Sequence, residues 1–546
     1  MLFTVYDLRS SYTCGVPVQE FSPEEARALA PYFTNIDKPV FALTNLPETV
    51  KGALFARYSR SPKSLRRLFL DEFHDKVASS APSSDADEYG IKRAEQLYQR
   101  VFSDYGDDSV AQLGGVHLAV ENASNILTKQ LERGRLMAYL EQSTRYIPYT
   151  DRSAGWRYLV PAELDGHPLR AQYIETLDRA FEVYASWFER MRDHFTARHP
   201  RAENDSEAVH RAAIRAKALD TLRGLLPAAT QSSVGIYATG QAYEALLLRL
   251  NASRLKEARA CSAMMLEELR KVIPAFLTRV DVPDRGGAWS KYLARVREDA
   301  SDIAAQVLDG EGPDERPEVT LSEFDPEGEV KVVAAALYST TDLPDDQLLN
   351  VARNLSLDQR AAVLKAYAGE RLNRRHRPGR AFERTSYRFD VLTDYGAFRD
   401  LQRHRLLTLD WQALTPRHGY ALPEAVEEAG GGADFREVME RSAALWSALM
   451  DGGCNEIAPC AVSMAYRVRF YMHMNAREAM HVIELRTAPQ GHPAYRRVCQ
   501  QMHRLIDQRA GHHAIAAAMT FVDHSEVELE RLQSERALER KRLATS

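Results

Sequence analysis

The stretch Lys129–Tyr149, KQLERGRLMAYLEQSTRYIPY, has an altered counterpart later in the chain, RDLQRHRLLTLDWQALTPRHGY at Arg399–Tyr420. Each stretch places closely spaced arginines before an apolar run that ends in polar and hydroxyl-bearing residues. The equivalent arginines, Arg133 and Arg403, lie 270 positions apart, close to half of the 546 residues. A repeat distance of this size indicates a duplicated domain.

A second pair of landmarks supports the duplication. The segments Ala245–Ile273 and His481–Ile506 each contain a Leu-Arg pair, a cysteine twelve or thirteen residues later, and a helical pattern that ends in isoleucine. Two polar stretches interrupt the chain: Ser79–Gly90, which predicts a loop, and the acidic, Gly- and Pro-containing Asp309–Glu318, which is typical of a linker. The predicted organisation is a first domain over 1–308, a linker over 309–318 and a second domain over 319–546.

Helical periodicity dominates both halves. Apolar residues recur at helical spacing in Arg297–Leu308 and Leu355–Gly369, and the pattern predicts one long helix over Tyr243–Leu277. Alternating apolar residues predict strands over Val116–Glu121 and Thr385–Leu392. The Gly-rich stretch Glu427–Phe435 predicts a flexible loop. The expected fold class is therefore α+β, as two tandem helix-rich domains that each carry a small antiparallel sheet.

The composition restricts the class of function. A net charge of −5 and a pI near 6.4 argue against a general nucleic-acid-binding protein. No apolar run reaches the ~18 residues that suggest a membrane span, and the N-terminus lacks the apolar core of a signal peptide. Five cysteines without a CxxC pair are typical of free thiols, so a cytoplasmic protein is expected. No P-loop is present and no GxGxxG opens a helix.

Three polar segments are candidates for chemistry. In Arg403–Arg405 (RHR), two guanidiniums flank an imidazole and, in a helix, would serve different partners; this suits an anionic, ring-containing ligand, although such a cluster taken alone is usually a solvated surface. Ser143 and Arg145 would turn toward one phosphate if the backbone is extended, and a polar turn is the alternative. In Met474–Arg486, amide, imidazole and guanidinium groups lie among apolar residues, so their partners come from the fold or from a ligand.

The second copy resembles the flavin-dependent thymidylate synthases, whose signature is Arg-His-Arg, seven residues, then Ser and an Arg two positions further on. It has Arg403–Arg405 intact, but Ala413 and Thr415 stand at the Ser and Arg positions. Asn475–Arg486 is similar to the Asn-Ala-Arg…Leu-Arg helix of that family, and Glu383 lies in AFER, which is similar to its Phe-Glu-His region. The resemblance extends over roughly 105–275 and 375–510.

The first copy departs from the same signature in a complementary way. Glu141, Ser143 and Arg145 have the family spacing, but Gly134 stands where the histidine is expected. RGLLP at Arg223–Pro227 is similar to the family's Arg-x-x-Leu-Pro, for which the second copy has no arginine, whereas the first copy has TGQAYEALLLR in place of the Asn-Ala-Arg helix.

These departures suggest one composite site and one decayed mirror site. In the family each site is assembled across the subunits of a homotetramer, so a tandem chain needs to keep only one of two formerly equivalent interfaces. The second half would supply the residues that bind the flavin, and the first half would supply those that bind the nucleotide phosphate. A homodimer of tandem chains would then imitate the tetramer.

The resemblance implies an FAD-dependent conversion of dUMP to dTMP, with methylenetetrahydrofolate and NADPH as co-substrates, no cysteine nucleophile and no metal. Arg486 would be the catalytic residue, near the uracil edge, where it favours the N3-ionised form. The residues implied to hold FAD are Arg403, His404, Arg405, Glu383, Asn475, Arg477, His481 and Glu141. The residues implied to bind the nucleotide are Gln142, Ser143, Arg145, Arg223, Asp400, Arg403 and Arg486.

Two alternatives to a thymidylate synthase stay open. Asp400 replaces the glutamine that usually precedes the first arginine by three positions, and together with Pro416 it motivates a flavin-dependent enzyme acting on another pyrimidine nucleotide. Half of each motif is lost, which is also compatible with a non-catalytic protein that binds flavin or nucleotide.

Overall fold

The computed structural model describes residues 21–58, 61–78, 112–153 and 155–545. Cys14 and the loop predicted over Ser79–Gly90 lie outside the described residues. Among the helices that are described, none combines the length and the apolar character needed to cross a membrane.

Two antiparallel sheets, one in each half, carry the elements of interest. Their strands are β1 (Gly115–Ser124), β2 (Met137–Glu141), β3 (Gln231–Thr239), β4 (Val319–Phe324), β5 (Ser386–Asp394), β6 (Thr408–Trp411) and β7 (Arg467–Asn475). The first sheet has the order β1-β3-β2 and the second β4-β5-β7-β6. In β5 and β7 buried and half-buried residues alternate along the strand, as the period of two requires for a sheet packed on one face.

Helices cover and join the sheets. Those of the first half are α1 (Pro23–Leu29), α2 (Glu48–Tyr58), α3 (Leu65–Leu68), α4 (His74–Ala78), α5 (Asn125–Leu131), α6 (Arg170–Arg198), α7 (Glu207–Leu222), α8 (Gly240–Asn251), α9 (Lys256–Arg270) and α10 (Gly286–Val307). Those of the second half are α11 (Gly328–Leu337), α12 (Asp345–Asn354), α13 (Leu357–Ala368), α14 (Tyr395–Leu401), α15 (Glu424–Glu428), α16 (Gly432–Asp451), α17 (Ala476–Arg486), α18 (Pro493–Gln508), α19 (His513–Ala518) and α20 (Leu532–Thr545). The predicted α+β fold with two small antiparallel sheets is confirmed.

The same strand–helix unit is built in both halves. Ser124 ends β1 and caps α5, where its hydroxyl accepts a hydrogen bond from the Leu127 N–H at 3.0 Å. Asp394 ends β5 and caps α14 in the same way, from the Ala397 N–H at 2.8 Å. A side-chain oxygen at this position satisfies an N–H group that the helix leaves free. The two caps are 270 positions apart, the distance that separates Arg133 from Arg403.

A second unit repeats with a shorter offset. Thr239 caps α8 after β3, and Asn475 caps α17 after β7, 236 positions later. The difference between the two offsets, 270 minus 236, is an insertion of 34 residues in the first half. The segment Arg198–Lys217, which lies between these two units in the first half, runs from the end of α6 through most of α7.

The two halves share a continuous hydrophobic core and meet along a backbone seam. Ala228 N–H donates to Val462 C=O at 2.8 Å, and Met464 N–H donates to Leu226 C=O at 2.9 Å. Gly224 belongs to this seam, because a Cβ there would lie 3.0 Å from the Cβ of Ala465. The division at 309–318 stays a prediction, and the shared core means that the halves depend on one another for burial.

Two predicted elements were wrong. The helix expected over Tyr243–Leu277 is broken between α8 and α9, because the Arg259 guanidinium binds the carbonyls of Ser253 and Arg254, at 2.6 and 2.8 Å, and holds the chain in a turn. The loop expected over Glu427–Phe435 is short, since α15 ends at Glu428 and α16 begins at Gly432.

Candidate functional site

Arg403–Arg405 lies in the turn between α14 and β6, and not in a helix. The turn is anchored to the first half, because the Gln402 side-chain amide donates to the backbone carbonyl of Lys129 at 3.3 Å. Arg403 donates a hydrogen bond to the carboxylate of Glu141, in the first half. The Arg405 guanidinium lies 6.0 Å from the ring centre of Tyr139. The two guanidiniums therefore do serve different partners.

Glu141, at the end of β2, forms ion pairs that connect the two halves. Its buried carboxylate accepts hydrogen bonds from Lys129 at 3.2 Å, from Arg399 at 3.3 Å and from Arg403. Burial opposes ionisation of this group, but the three cations outweigh it and hold the pKa of Glu141 well below its usual range. Lys129 and Arg399 occupy equivalent positions of the two copies, 270 residues apart.

Arg145 is held in a bidentate ion pair by Asp220 of α7. The guanidinium donates to the two carboxylate oxygens at 2.6–2.9 Å. It also approaches the second half, at 3.3 Å from the Gln490 carbonyl and 3.4 Å from the Tyr495 hydroxyl. Burial by itself would lower the pKa of Arg145, but Asp220 outweighs it and raises that pKa, so the group is a fixed cation at the boundary between the halves.

Arg223 crosses the same boundary to Asp400. Its Nη1 donates to Asp400 at 3.4 Å, and its Nη2 lies 3.9 Å from Asp394. Burial favours the protonated form of Asp400, yet Arg403 and Arg223 outweigh it and lower the pKa of this carboxyl. Arg223 Nη2 and Arg403 Nε are buried without a hydrogen-bond partner among the described residues. Donors left in this state are expected to bind a ligand or water.

His404 and Arg486 form the second-half side of the site. Arg486 Nε donates to His404 Nε2 at 2.9 Å, so Nδ1 carries the imidazole proton, at 3.8 Å from the Glu478 carboxylate. Burial, and then the charge of Arg486, lower the pKa of His404 well below its usual value. The imidazole is therefore neutral and fixes the plane of the Arg486 guanidinium.

His404, Glu478 and His481 form the one group of potential metal ligands found among the described residues, with donor atoms within 4.8 Å of one another. The chemistry of the donors suits a divalent ion, but their surroundings do not. Arg377 lies 3.1 Å from a ring nitrogen of His481, and Arg486 bonds His404. These fixed cations repel a second positive charge at short range. Burial raises the pKa of Glu478 to about 7 and lowers that of His481 to about 4. Both shifts favour the uncharged form of the side chain.

The remaining second-half residues line the beginning of α17. Asn475 accepts from the Glu478 N–H at 2.9 Å as the helix cap. Arg477 donates to the Pro378 carbonyl at 2.8 Å and lies 3.4 Å from Glu383, which is also paired with Arg380. This group lies at the cap end of α17, whereas Arg486, the predicted catalytic residue, ends the helix.

Gln142 and Ser143 bond within their own half. The Gln142 side-chain carbonyl accepts from Arg157 at 3.0 Å, and the Ser143 hydroxyl accepts from the Arg145 N–H at 3.2 Å. The backbone turns at this point, since Ile147 N–H donates to Ser143 C=O. Of the two backbone forms considered for Ser143 and Arg145, the structure therefore has the polar turn, which follows β2 directly.

The equivalent region of the first copy is filled by its own side chains. A Cβ at Gly134 would lie 2.6 Å from both the Met137 sulfur and the Tyr139 hydroxyl, so a side chain at this position requires Met137 and Tyr139 to move. Arg133 is half-exposed and lies 5.1 Å from the ring of Trp411, the residue that stands where the other copy has Glu141. An aromatic ring thus replaces the carboxylate that holds Arg403.

The sequence did not single out Asp220, Glu478, Lys129 or Arg399. Two of them had a detectable signal: Asp220 lies one helical turn before Arg223, and Lys129 aligns with Arg399 at the repeat distance. Glu478 had none, because its role depends on the turn that brings His404 onto α17.

A cavity of about 910 Å³ is lined by residues of both halves. Asp220 and Arg223 line it from the first half, and Asp394, His492 and Arg497 from the second. The lining does not include Arg403, His404 or Asn475, so the cavity lies on the side of Arg223 away from α17.

Comparisons with known proteins agree on a family. The sequence model of the thymidylate synthase complementing protein family matches residues 53–275 and 320–510, one segment in each half. A UPF0159 protein of Chlamydia muridarum is 37% identical over 522 residues, 94% of this chain and 98% of that one. A UPF0159 protein of Thermoplasma acidophilum is 28% identical over 511 residues, with 89% of this chain and 97% of that one aligned.

More distant likenesses are shorter. The flavin-dependent thymidylate synthase of Clostridium tetani is 24% identical over 172 residues, 31% of this chain and 64% of that protein. The structure of a UMP/dUMP methylase, PolB from Streptomyces cacaoi, bound with 5-Br dUMP, covers 36% of this chain and 94% of that chain at 20% identity, with a TM-score of 0.29. At that score the structural likeness carries no weight here.

The matches in both halves, together with relatives of the same length, show what the repeated strand–helix units are. The chain belongs to the thymidylate synthase complementing protein family and carries the family domain twice in tandem.

Proposed function

We propose that this protein is a flavin-dependent methyltransferase that converts dUMP to dTMP at one composite site built from both halves. Membership of the family and the similarity to a flavin-dependent thymidylate synthase support the reaction class. The observation that carries the composite site is the pair of contacts across the halves, Glu141 with Arg403 and Arg223 with Asp400.

Arg145 and Arg223 are suited to hold the nucleotide phosphate. Arg223 is buried and Arg145 is partly buried, both face the second half, and Arg223 Nη2 is a donor without a partner among the described residues. Guanidinium forks bind phosphate oxygens in pairs and with charge assistance. Neutral donors on the same turn, from Ser143 and Gln142, would complete the binding site for the phosphate.

Arg486 is suited to act on the uracil ring. The neutral His404 accepts from Arg486 Nε, and the Tyr495 ring lies 5.4 Å from its guanidinium carbon, so the group is held in one plane. A cation beside the uracil edge stabilises negative charge at N3 and O4, which makes C5 more nucleophilic. Asp400, ionised between Arg223 and Arg403, would set the distance between the ring and the phosphate grip.

The flavin fits the second-half residues, because buried donors such as Arg403 Nε are left open and cationic and imidazole side chains follow α17. When bound, reduced FAD supplies the hydride, NADPH reduces it, and methylenetetrahydrofolate supplies the carbon. His404, Arg405, Asn475, Arg477 and His481 would hold the ring and its phosphates. Glu141 would keep Arg403 oriented between flavin and nucleotide.

The cysteines are consistent with a route that needs no thiolate. Burial raises the pKa of Cys261 and of Cys499 to about 12, far above the value of an activated thiol. A cytoplasmic setting is proposed on the same ground, since the four described cysteines are free thiols.

The experiment is purification followed by a visible spectrum and a dTMP assay with dUMP, methylenetetrahydrofolate and NADPH. We expect flavin absorption bands, dTMP formation, and rescue of a thymidine-requiring bacterium. Soluble protein that binds flavin but neither forms dTMP nor rescues growth contradicts the dUMP reaction.

A second candidate is flavin-dependent modification of C5 in another pyrimidine nucleotide. The observation that favours it is Asp400, a carboxylate among arginines where the family has a neutral glutamine. The same assay with UMP, CMP and dCMP distinguishes the two candidates. A colourless protein that binds a nucleotide without turnover supports the third possibility, a non-catalytic binding protein.

The proposed assembly is a homodimer of tandem chains, each with domains over 1–308 and 319–546 and a linker between them. Such a dimer contains four family domains, the number found in the family's tetramer.

A further inference from the structure

Helix α10 lies between the two segments that match the family, which end at 275 and resume at 320. It is a 22-residue helix in which only Gly286 is buried. It therefore belongs to the tandem chain itself and not to either copy of the repeated domain.

One side of α10 is a narrow exposed apolar stripe. Trp289, Tyr292 and Val296 in its first half are 53%, 59% and 46% exposed, and Ile303 and Val307 in its second half are 57% and 69% exposed. Their spacing of three, four, seven and four residues keeps all five on one line along a helix of 3.6 residues per turn. A continuous apolar line in contact with water is a feature of interaction surfaces.

The adjacent side of α10 is fixed to the first half. The Ser290 hydroxyl donates to the Leu248 carbonyl at 3.3 Å, and Arg297 donates to the Ala252 carbonyl at 3.0 Å, while Leu293 packs against the core. The helix cannot rotate to bury the stripe without breaking these contacts. The stripe is presented outward on a rigid support.

The charges of α10 are segregated along its length. Lys291 and Arg295 lie before its midpoint and Glu298, Asp299 and Asp302 after it, while Arg297 is bonded to the first half. A helix with a basic first half and an acidic second half is complementary to a copy of itself that runs in the opposite direction.

We propose that α10 is the surface through which two copies of this chain associate, as an antiparallel pair of helices about a two-fold axis near residue 298. Arg295 and Asp302 are seven residues apart on one side of the stripe, so Arg295 of each copy faces Asp302 of the partner subunit. Two aromatic and three aliphatic side chains from each copy bury on the order of 1,000 Å² in total, the lower range of a specific interface. The inference concerns assembly and does not depend on which nucleotide the protein binds.

The first test is sedimentation equilibrium of the full chain over a range of concentrations, with Ile303→Glu and a matched control, Ala305→Glu, on the opposite exposed side of α10. The wild type and Ala305→Glu are expected to be dimers. Ile303→Glu is expected to raise the dimer dissociation constant by on the order of 100-fold, because it buries two charges without partners. Circular dichroism verifies that both variants keep the helix content of the wild type.

The second test is a charge exchange. Arg295→Glu alone places like charges opposite each other and is expected to weaken the dimer, and Arg295→Glu combined with Asp302→Arg is expected to restore it. A wild type that stays monomeric overturns the proposal. So does a dimer that is unchanged in Ile303→Glu, or weakened equally in Ala305→Glu.

Discussion

Three arginines at the boundary between the halves each lie beside a carboxylate. Arg145 is paired with Asp220, Arg223 lies beside Asp400, and Arg403 bonds Glu141 across the halves. Burying cations is costly unless they are paired, so these acids allow guanidiniums to sit preformed in a partly buried cluster. A nucleotide phosphate would compete with carboxylates for arginines that are already oriented.

The two halves contribute different residues, so single substitutions separate a composite site from two equal sites. Arg145→Ala in the first half and His404→Ala in the second are each expected to lower kcat/KM for dTMP formation by on the order of 1,000-fold, because each removes a group that orients substrate or Arg486. The controls are Thr415→Ala, at the counterpart of Arg145, and Arg133→Ala, beside Gly134, the counterpart of His404; they are expected to change it by less than about threefold. Equal losses in all four variants would indicate two working sites.

Glu478 makes stability depend on pH in a defined direction. Its pKa in the folded chain is raised to about 7 from 4.5, chiefly by burial, so between these values the folded state holds a proton that the unfolded state has lost. The free energy of unfolding therefore falls as pH rises from about 4.5 to 7, by up to about 3 kcal/mol from this group.

Urea unfolding of the ligand-free protein at several pH values checks this dependence. Glu478→Gln is expected to remove most of the decline between pH 5 and 7, whereas Glu311→Gln, at an exposed position after α10, is expected to leave it unchanged. Parallel pH profiles for wild type and Glu478→Gln would contradict the raised pKa.

At the scale of elements, the sequence predicted what is local and missed what tertiary contacts decide. Alternation located β5, since that signal depends on residues close in sequence. Arg403–Arg405 could not be recognised as a turn, because that turn is held by Gln402 bonding Lys129 of the other half. Glu478 was missed for the same reason, because it is far from His404 in sequence and comes near it only in the folded chain.

Substitutions at the two equivalent helix caps can distinguish a structural role from a ligand-binding role. Asn475 caps α17 and Thr239 caps α8 at equivalent points of the repeat, with bonds of 2.9 and 3.3 Å to the helix N–H groups. Each change to alanine is expected to cost about 1 kcal/mol of unfolding free energy. Only Asn475→Ala is expected to lose flavin absorbance in the purified protein, since α8 carries no flavin residues in the proposal. Equal flavin loss in Thr239→Ala would contradict the assignment of α17.

At the scale of the whole molecule, the duplication places two copies of the family domain in one chain. The seam at Gly224–Ala229 and Cys460–Ala465 is made of backbone hydrogen bonds, and the hydrophobic core continues across it. In such a chain the two halves are always present at a high effective concentration, so a composite site does not depend on finding a partner. Changes that would have broken a symmetric assembly, such as Gly134 of the first copy and Trp411 of the second, can then accumulate in the mirror region only.

The shared seam predicts how the chain behaves when it is divided. Residues 1–308 and 319–546 expressed separately are each expected to be insoluble or to lose cooperative unfolding, because each exposes its side of the common core. Expressed together, they are expected to copurify and to bind flavin, since the linker between them carries no site residue. Arg145→Ala in the first fragment should leave copurification intact while lowering activity as it does in the full chain. If the second fragment alone is soluble and forms dTMP, the first half is not part of the site and the composite arrangement is wrong.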